Sequence, residues 1–246
     1  MNRVFLSLYL CLLVLAVTFT GCKSGQQLAF ESVEQKTHSA VTPANRDKAR
    51  HRAFNERVKQ GNVDLIFIGD SITQRWEGAG RQVWQEHYGK RNAVNLGISG
   101  DRTQHVLWRL DNGNIDGIEP KAAVVVIGTN KPRNNRNTVE ETADGVTAIC
   151  KKLRSDLPRT KILLLGIFPR EQYPGELRER VIETNKRISK LADARKIYYL
   201  DIGDDFLEAD GSISKEIMPD YLHLSEKGYK IWAEAIENKL AELMEE

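Results

Sequence analysis

The stretch Leu65-Ile66-Phe67-Ile68-Gly69-Asp70-Ser71-Ile72 decides the fold of this chain. Its apolar run is typical of a buried strand, and the run stops at a glycine before a segment with helical patterning. In open α/β sheets, ligands bind at the carboxyl ends of the strands. The stretch therefore predicts a parallel sheet with Ser71 at its carboxyl edge. A serine in that place is either an ordinary helix cap or a nucleophile.

Short apolar runs alternate with amphipathic segments through the rest of the chain. The apolar runs predict five strands, at 64–68, 93–96, 122–127, 161–167 and 197–201. The amphipathic segments predict helices near 47–60, 72–87, 103–112, 138–156 and 175–194, and a last helix that begins near Ser225. Alternation of this kind predicts a parallel sheet with right-handed crossovers.

The first residues have the pattern of an export signal. Met1-Asn2-Arg3 carries one positive charge, and the chain is then apolar from Val4 to Phe19. This run is shorter than the roughly 20 residues that a membrane-spanning helix needs. Residues 1–21 are therefore predicted to be a secretory signal peptide.

The residues Phe19-Thr20-Gly21-Cys22 resemble the lipobox of bacterial lipoproteins, in which the cysteine becomes lipidated. The alternative is an ordinary signal peptide that happens to contain a cysteine. With lipid on Cys22, we expect an exported protein anchored in the bacterial cell envelope, at the outer membrane or the periplasmic face. The polar residues 22–45 are predicted to form a tether, and residues 46–246 a single domain.

Charge and cysteine content exclude some classes of protein. The formal net charge of +2 is close to neutral and does not indicate a nucleic-acid-binding protein. Of the three cysteines, Cys11 leaves with the signal peptide and Cys22 would carry lipid, so we expect no intrachain disulfide. Cys150 lies on an apolar helical stripe and is predicted to be a buried structural thiol.

Three further segments carry polar groups that could serve a nucleophile. Gly97-Ile98-Ser99-Gly100 follows the second predicted strand, and Gly128-Thr129-Asn130 follows the third. Asp220-Tyr221-Leu222-His223 precedes the last helix. Because the carboxyl ends of neighbouring parallel strands lie along one edge, we expect these groups to converge on Ser71.

The residue types at this edge suit acyl transfer. A serine hydroxyl needs a base, and His223 is the candidate, with Asp220 able to orient its ring. A tetrahedral intermediate needs hydrogen-bond donors, which the backbone N–H groups of Ser71 and Gly100 and the side-chain amide of Asn130 could supply. Each motif alone is more typical of a turn or a cap, but their combination indicates a serine hydrolase.

The order Gly-Asp-Ser, Gly, Gly-x-Asn, Asp-x-x-His resembles the SGNH (GDSL) hydrolase superfamily. Three segments are similar to one branch, the catalytic subunits of intracellular platelet-activating-factor acetylhydrolase. They are Gly100-Asp101-Arg102-Thr103-Gln104-His105-Val106-Leu107-Trp108-Arg109-Leu110, Gly166-Ile167-Phe168-Pro169-Arg170 and Asp220-Tyr221-Leu222-His223-Leu224. The resemblance covers about residues 50 to 243.

This resemblance implies a flavodoxin-like three-layer α/β/α sandwich with a five-stranded parallel sheet. It implies ester hydrolysis without metal or other cofactor, with Ser71, Asp220 and His223 catalytic and with Ser71, Gly100 and Asn130 as oxyanion donors. By analogy alone, it also implies a homodimer. One departure is Lys131-Pro132, where family members often carry a second asparagine. Lys131, Arg133 and Arg136 could favour an anionic substrate or form a solvated basic loop.

The sequence thus predicts a lipid-anchored serine esterase that acts on short-chain, above all acetyl, esters of glycans or lipids. One alternative is a lysophospholipase or thioesterase that takes longer acyl chains. The other is a non-catalytic carbohydrate-binding lipoprotein with the same fold.

Overall fold

The computed structural model describes residues 37–130 and 137–245. Its centre is a five-stranded parallel sheet with the strand order β2-β1-β3-β4-β5. The strands are Leu65–Gly69 (β1), Ala93–Gly97 (β2), Ala122–Val126 (β3), Lys161–Leu165 (β4) and Ile197–Leu200 (β5). The predicted α/β fold with five parallel strands is confirmed, and the first three strands are neighbours, so their carboxyl ends lie side by side.

Seven α-helices connect and cover these strands in the described residues. They are Ala49–Lys59 (α1), Ser71–Gln74 (α2), Arg81–His87 (α3), Thr103–Asp111 (α4), Val139–Asp156 (α5), Glu176–Ile188 (α6) and Glu226–Glu245 (α7). Short 3₁₀ helices occupy Arg75–Glu77, Ser189–Leu191 and Gly203–Phe206.

The sheet divides the core into two apolar layers. Alternate residues of β1 face opposite sides, as a pleated strand requires: Ile66 and Ile68 contact one layer, and Leu65 and Phe67 the other. The first layer contains buried residues of α1, α4, α5 and α6, and the second contains those of α2, α3 and α7. The result is the three-layer arrangement expected from the sequence.

The segment predicted as one helix over 72–87 is instead three short helices. The chain passes from α2 into the 3₁₀ helix Arg75–Glu77, and α3 begins only after Gly78-Ala79-Gly80. Glycine is a poor helix former, and the break turns Trp76 inward, where its side chain is fully buried. The periodic pattern of apolar residues predicted too long a helix, because this prediction did not take the two glycines into account.

The domain begins before residue 46, the start predicted from the sequence. Ala40 is fully buried, and its carbonyl accepts a hydrogen bond from Thr103 Oγ1 at 2.8 Å. The Ala44 N–H donates to the Gln104 carbonyl at 3.0 Å. Residues 37–45 therefore pack on α4 rather than forming part of a free tether. The predicted signal peptide and the rest of the tether lie outside the described residues.

Two further findings concern the described part of the chain. Cys150 is a free thiol, 1 % exposed, and its burial raises its pKa to about 12, as expected for a structural cysteine. None of the helices described here is long and apolar enough to cross a membrane.

Candidate active site

Ser71 begins α2 directly after β1, at the carboxyl edge of the sheet. The preceding Asp70 caps this helix, and its Oδ1 accepts a hydrogen bond from the Ile72 N–H at 3.0 Å. A Cβ at Gly69 would lie 2.5 Å from the Val126 carbonyl oxygen, so only glycine allows this close turn. The strand and the cap together fix the serine at the edge.

The structure brings Ser71, His223 and Asp220 into one chain of hydrogen bonds. Ser71 Oγ lies 2.9 Å from His223 Nε2, and His223 Nδ1 lies 2.7 Å from Asp220 Oδ2. The other carboxylate oxygen, Asp220 Oδ1, accepts from the His223 backbone N–H at 2.7 Å. A carboxylate in this position favours the ring tautomer with a proton on Nδ1, which leaves Nε2 free to accept the serine proton.

The turn that holds His223 is shaped by a residue with positive φ. Tyr221 has φ 57°, and its carbonyl accepts from the Glu171 N–H at 2.9 Å. Partial burial raises the pKa of Asp220, but hydrogen bonds from the His223 ring and backbone outweigh it and hold that pKa below its ordinary value. The carboxylate is therefore ionised at neutral pH and can stabilise a histidine cation.

Gly100 lies in the loop after β2, with φ 78°, a conformation that favours glycine. The residue is exposed, and in the described part of the chain its N–H has no hydrogen-bond partner. Its neighbour Asp101 closes the turn by donating from its N–H to the Ile98 carbonyl at 3.0 Å. The Gly100 N–H is therefore available as a donor.

Asn130 lies beyond β3, and its side-chain amide already has partners. Nδ2 donates to Asp70 Oδ2 at 3.1 Å and to the Asp101 carbonyl at 2.9 Å. An amide has two N–H groups, so both are engaged in this conformation. An oxyanion would have to share one of these hydrogen bonds or replace it.

A buried ionic network beneath this loop was not predicted from the sequence. Asp101 is fully buried, with Oδ2 accepting from Arg109 Nε at 2.8 Å and Oδ1 from Arg46 Nε at 2.5 Å. Arg109 is also fully buried and donates to Asn114 Oδ1 at 2.6 Å. Because a buried carboxylate is costly unless it is paired, the two arginines fix the residue that follows Gly100 and contacts Asn130.

Asp70 is the second buried carboxyl group of the site, at 2 % exposure. Burial raises its pKa to about 7, and the nearby Asp101 charge adds to this effect. The hydrogen bond from the Ile72 N–H and the positive charge of Arg170 act in the opposite direction. Asp70 therefore changes its charge near neutral pH.

The remaining predicted residues lie outside the hydrogen-bonded chain. His105 caps α4, where its Nδ1 accepts from the Arg102 N–H at 3.1 Å, and burial lowers its pKa to about 4. Cys22 and the basic residues Lys131, Arg133 and Arg136 are outside the described residues. Within the described residues, no three His, Cys, Asp or Glu side chains are grouped so that they could hold a metal ion.

Comparison with known proteins adds family-level evidence to this geometry. Residues 67–231 match the model of the GDSL-like lipase/acylhydrolase family. The chain is 37 % identical over 195 residues to the human platelet-activating factor acetylhydrolase IB subunit alpha1, which covers 79 % of this chain and 82 % of that protein. It is also 37 % identical over 199 residues to the mouse alpha2 subunit, with 80 % and 85 % covered.

Solved structures share the fold at lower sequence identity. A GDSL-like lipase from Bacteroides thetaiotaomicron matches with a TM-score of 0.64 and 19 % identity, over 79 % of this chain and 98 % of that one. An acetylxylan esterase from Geobacillus stearothermophilus matches with a TM-score of 0.59 and 18 % identity, over 73 % and 94 %.

The raised pKa of Asp70 leads to a prediction about stability. The folded state holds a proton that the unfolded chain has released, so this stabilisation is complete below pH 4 and is lost as pH rises to 7. Asparagine does not titrate, so the Asp70→Asn variant does not lose this stabilisation as the pH rises. We expect the free energy of unfolding of the variant, relative to wild type, to rise by about 1.4 kcal/mol per pH unit between pH 4 and 7. Urea denaturation at several pH values measures it.

The exposed Asp116→Asn is the matched control, because it makes the same chemical change on the surface. Its difference from wild type should vary much less with pH. A pH-independent difference for Asp70→Asn would show that Asp70 is ionised throughout this range.

Proposed function

Because the chain belongs to the GDSL-like lipase/acylhydrolase family, whose members hydrolyse carboxylic esters, we propose that it is a serine esterase that works through an acyl-enzyme. The observation that carries this proposal is the hydrogen-bonded chain from Ser71 Oγ through His223 to Asp220. Such a chain can remove the serine proton, which a hydroxyl needs before it can attack a carbonyl.

The proposed reaction begins when Ser71 Oγ attacks the ester carbonyl carbon and His223 Nε2 takes its proton. Asp220 stabilises the resulting histidine cation through the 2.7 Å contact with Nδ1. His223 then returns the proton to the leaving alcohol. A water molecule, activated by the same histidine, releases the acid and restores Ser71.

Three donors are proposed to stabilise the negative oxygen of the tetrahedral intermediate. They are the backbone N–H groups of Ser71 and Gly100 and the side-chain amide of Asn130. The first two are supported by their position at the start of α2 and at the exposed Gly100. The third is compatible with the structure only when Asn130 shares its contact with Asp70 or Asp101.

Short acyl groups, and acetyl above all, are the proposed substrates. The support is sequence similarity to subunits described as acetylhydrolases. Esters of glycans are a fitting class, because an esterase of the cell envelope would meet acetylated glycans.

We further propose that the protein is exported and anchored through lipid on Cys22. The support is the order of a positive charge, an apolar run and the residues Thr20-Gly21-Cys22. Several acyl chains on one residue give a lasting anchor where a single chain does not.

The first test of the nucleophile uses a fluorophosphonate probe, which reacts with an activated serine. We expect wild type to be labelled and Ser71→Ala to lose both labelling and ester turnover while keeping its fold. Ser99→Ala, a change at an exposed serine of a neighbouring loop, is the control and should still be labelled. Labelling of Ser71→Ala at the wild-type rate would remove Ser71 from the mechanism, and an unlabelled wild type would favour a binding protein.

A panel of 4-nitrophenyl esters from two to twelve carbons then tests the acyl size. We expect kcat/KM to be highest for acetate and to fall with chain length. A maximum at eight carbons or more would instead assign a lipase or thioesterase of the same family.

Asn130→Ala tests the shared oxyanion donor. Loss of one such donor costs about 10²–10³ in kcat with little effect on KM, because the hydrogen bond forms in the transition state. Asn238→Ala, a change at an exposed asparagine of α7, serves as the control. A kcat within a factor of three of wild type would limit Asn130 to holding Asp70 and Asp101.

The anchor is tested by metabolic labelling with palmitate in a bacterial host. We expect label on wild type and on Cys11→Ser, which changes a cysteine inside the signal peptide. Cys22→Ser should carry no label and should leave the membrane fraction. Label that persists in Cys22→Ser, or none on wild type, would contradict lipidation at this residue.

A further inference from the structure

A narrow cavity at the carboxyl edge of the sheet is lined in part by Asn130, one of the proposed oxyanion donors. It is bounded by the loop after β3, the loop after β4 and the first turns of α4, α5 and α6. Thr129 and Asn130 belong to its wall, so the cavity reaches one of the three proposed oxyanion donors. Three arginines, Arg102, Arg170 and Arg180, also line it.

Arg170 is the arginine most directly tied to the proposed catalytic residues. Its Nη1 donates to the Thr129 carbonyl at 2.9 Å, next to Asn130. Its Nε is buried and has no hydrogen-bond partner among the described residues. Its positive charge also lowers the pKa of Asp70, which precedes Ser71. A half-buried guanidinium with an unpaired N–H group can donate a hydrogen bond to an acceptor atom of a ligand.

The loop that carries Arg170 is held rigidly against the histidine turn. Arg178 is 4 % exposed and donates to the carbonyls of Arg170, Glu171 and Gly211. Glu171 in turn donates from its N–H to the Tyr221 carbonyl, two residues before His223. The backbone that carries Arg170 is therefore held by contacts that also hold the turn of the proposed base, while the Thr129 carbonyl holds the guanidinium itself.

Among the described residues, the arginines of the cavity form no ion pair with a carboxylate. Arg102 and Arg180 are half-buried, and no carboxylate is paired with them or with Arg170 within residues 37–130 and 137–245. None of the described residues that line the cavity is acidic. The glutamates at the start of α5 are occupied elsewhere: Glu140 pairs with Arg187, and Glu141 accepts from the Thr138 N–H at 3.0 Å.

We propose that this cavity, with Arg170 in its wall, is a subsite for an anionic group of the ester substrate. The inference rests on the proposed esterase function and narrows its substrate to esters that carry a carboxylate or a phosphate within a few atoms of the scissile bond. A planar guanidinium binds either oxyanion through paired hydrogen bonds. The position of the cavity beside Asn130 puts that group next to the reacting carbonyl.

The test compares esters that differ only in charge. One pair is acetylated glucuronic acid, which carries a carboxylate, and its methyl ester, which carries no charge. The other pair is acetylated glycerol 3-phosphate and acetylated glycerol. For purified wild-type protein we expect kcat/KM to be about tenfold or more higher for at least one charged ester, as for a hydrogen bond to a charged group. The preference should shrink at high salt, because ions screen it.

Arg170→Gln should lower this charged-to-neutral ratio to near one. Arg102→Gln, on a different element, is a second variant in case the first disturbs the loop at Thr129. Arg154→Gln is the matched control, because it removes the same charge at the other end of α5, where Arg154 pairs with Asp193. The control should keep the wild-type ratio.

The outcomes separate this inference from the proposed function. The pair that shows the preference tells whether the subsite takes carboxylate or phosphate. Turnover of all four esters with a ratio near one in wild type would overturn the subsite and leave the esterase intact. A ratio that survives in both Arg170→Gln and Arg102→Gln would also overturn it. Absence of turnover and of fluorophosphonate labelling would reject the esterase itself.

Discussion

The contact on which the site depends is the 2.9 Å hydrogen bond between Ser71 and His223, which are 152 positions apart in the chain. It forms because α7 packs against the helix that begins at Ser71. Tyr229 on α7 donates from its hydroxyl to the Ile72 carbonyl at 2.5 Å, and its ring centroid lies 4.5 Å from that of Trp76, with the two ring planes tilted by 51°. The apolar packing of α7 thus sets the distance between the proposed nucleophile and base, and the geometry of the proposed site is a consequence of the core.

The sequence predicted those parts of the molecule that depend on local pattern and on strand direction. Alternation of strands and helices predicts a parallel sheet, and a parallel sheet brings the ends of β1, β2 and β3 to one edge. Ser71, Gly100 and Asn130 lie at that edge because each follows one of these strands. The histidine turn was recognised from residue type and spacing alone, since no local rule gives the distance to Ser71.

What could not be predicted depends on contacts between distant polar residues. The buried Arg109 was indistinguishable in the sequence from a solvated helical arginine, and only the structure pairs it with Asp101 and Asn114. Residues 37–45 looked like a polar tether because their contacts with α4 run through backbone groups that no side-chain pattern reveals. The partners of the Asn130 amide were hidden for the same reason.

The buried Asp70 connects these contacts to the chemistry proposed for the site. An ionised carboxylate 3.1 Å from the Asn130 amide would compete for the donor and would repel negative charge that develops on the reacting carbonyl oxygen. Burial favours its neutral form, and the charge of Asp101 does the same. Arg170 acts in the opposite direction and also offers a positive charge to the substrate. Arg46 and Arg109 pair with Asp101 and so fix the loop after β2. Because Asp101 is paired, it is not a second unpaired carboxylate next to the proposed oxyanion donors. At pH values below about 7, where Asp70 holds its proton, one buried acid is neutralised by ion pairs and the other by protonation. Full negative charge is then kept away from the proposed oxyanion donors, and that is the condition under which weak amide donors can stabilise an anion.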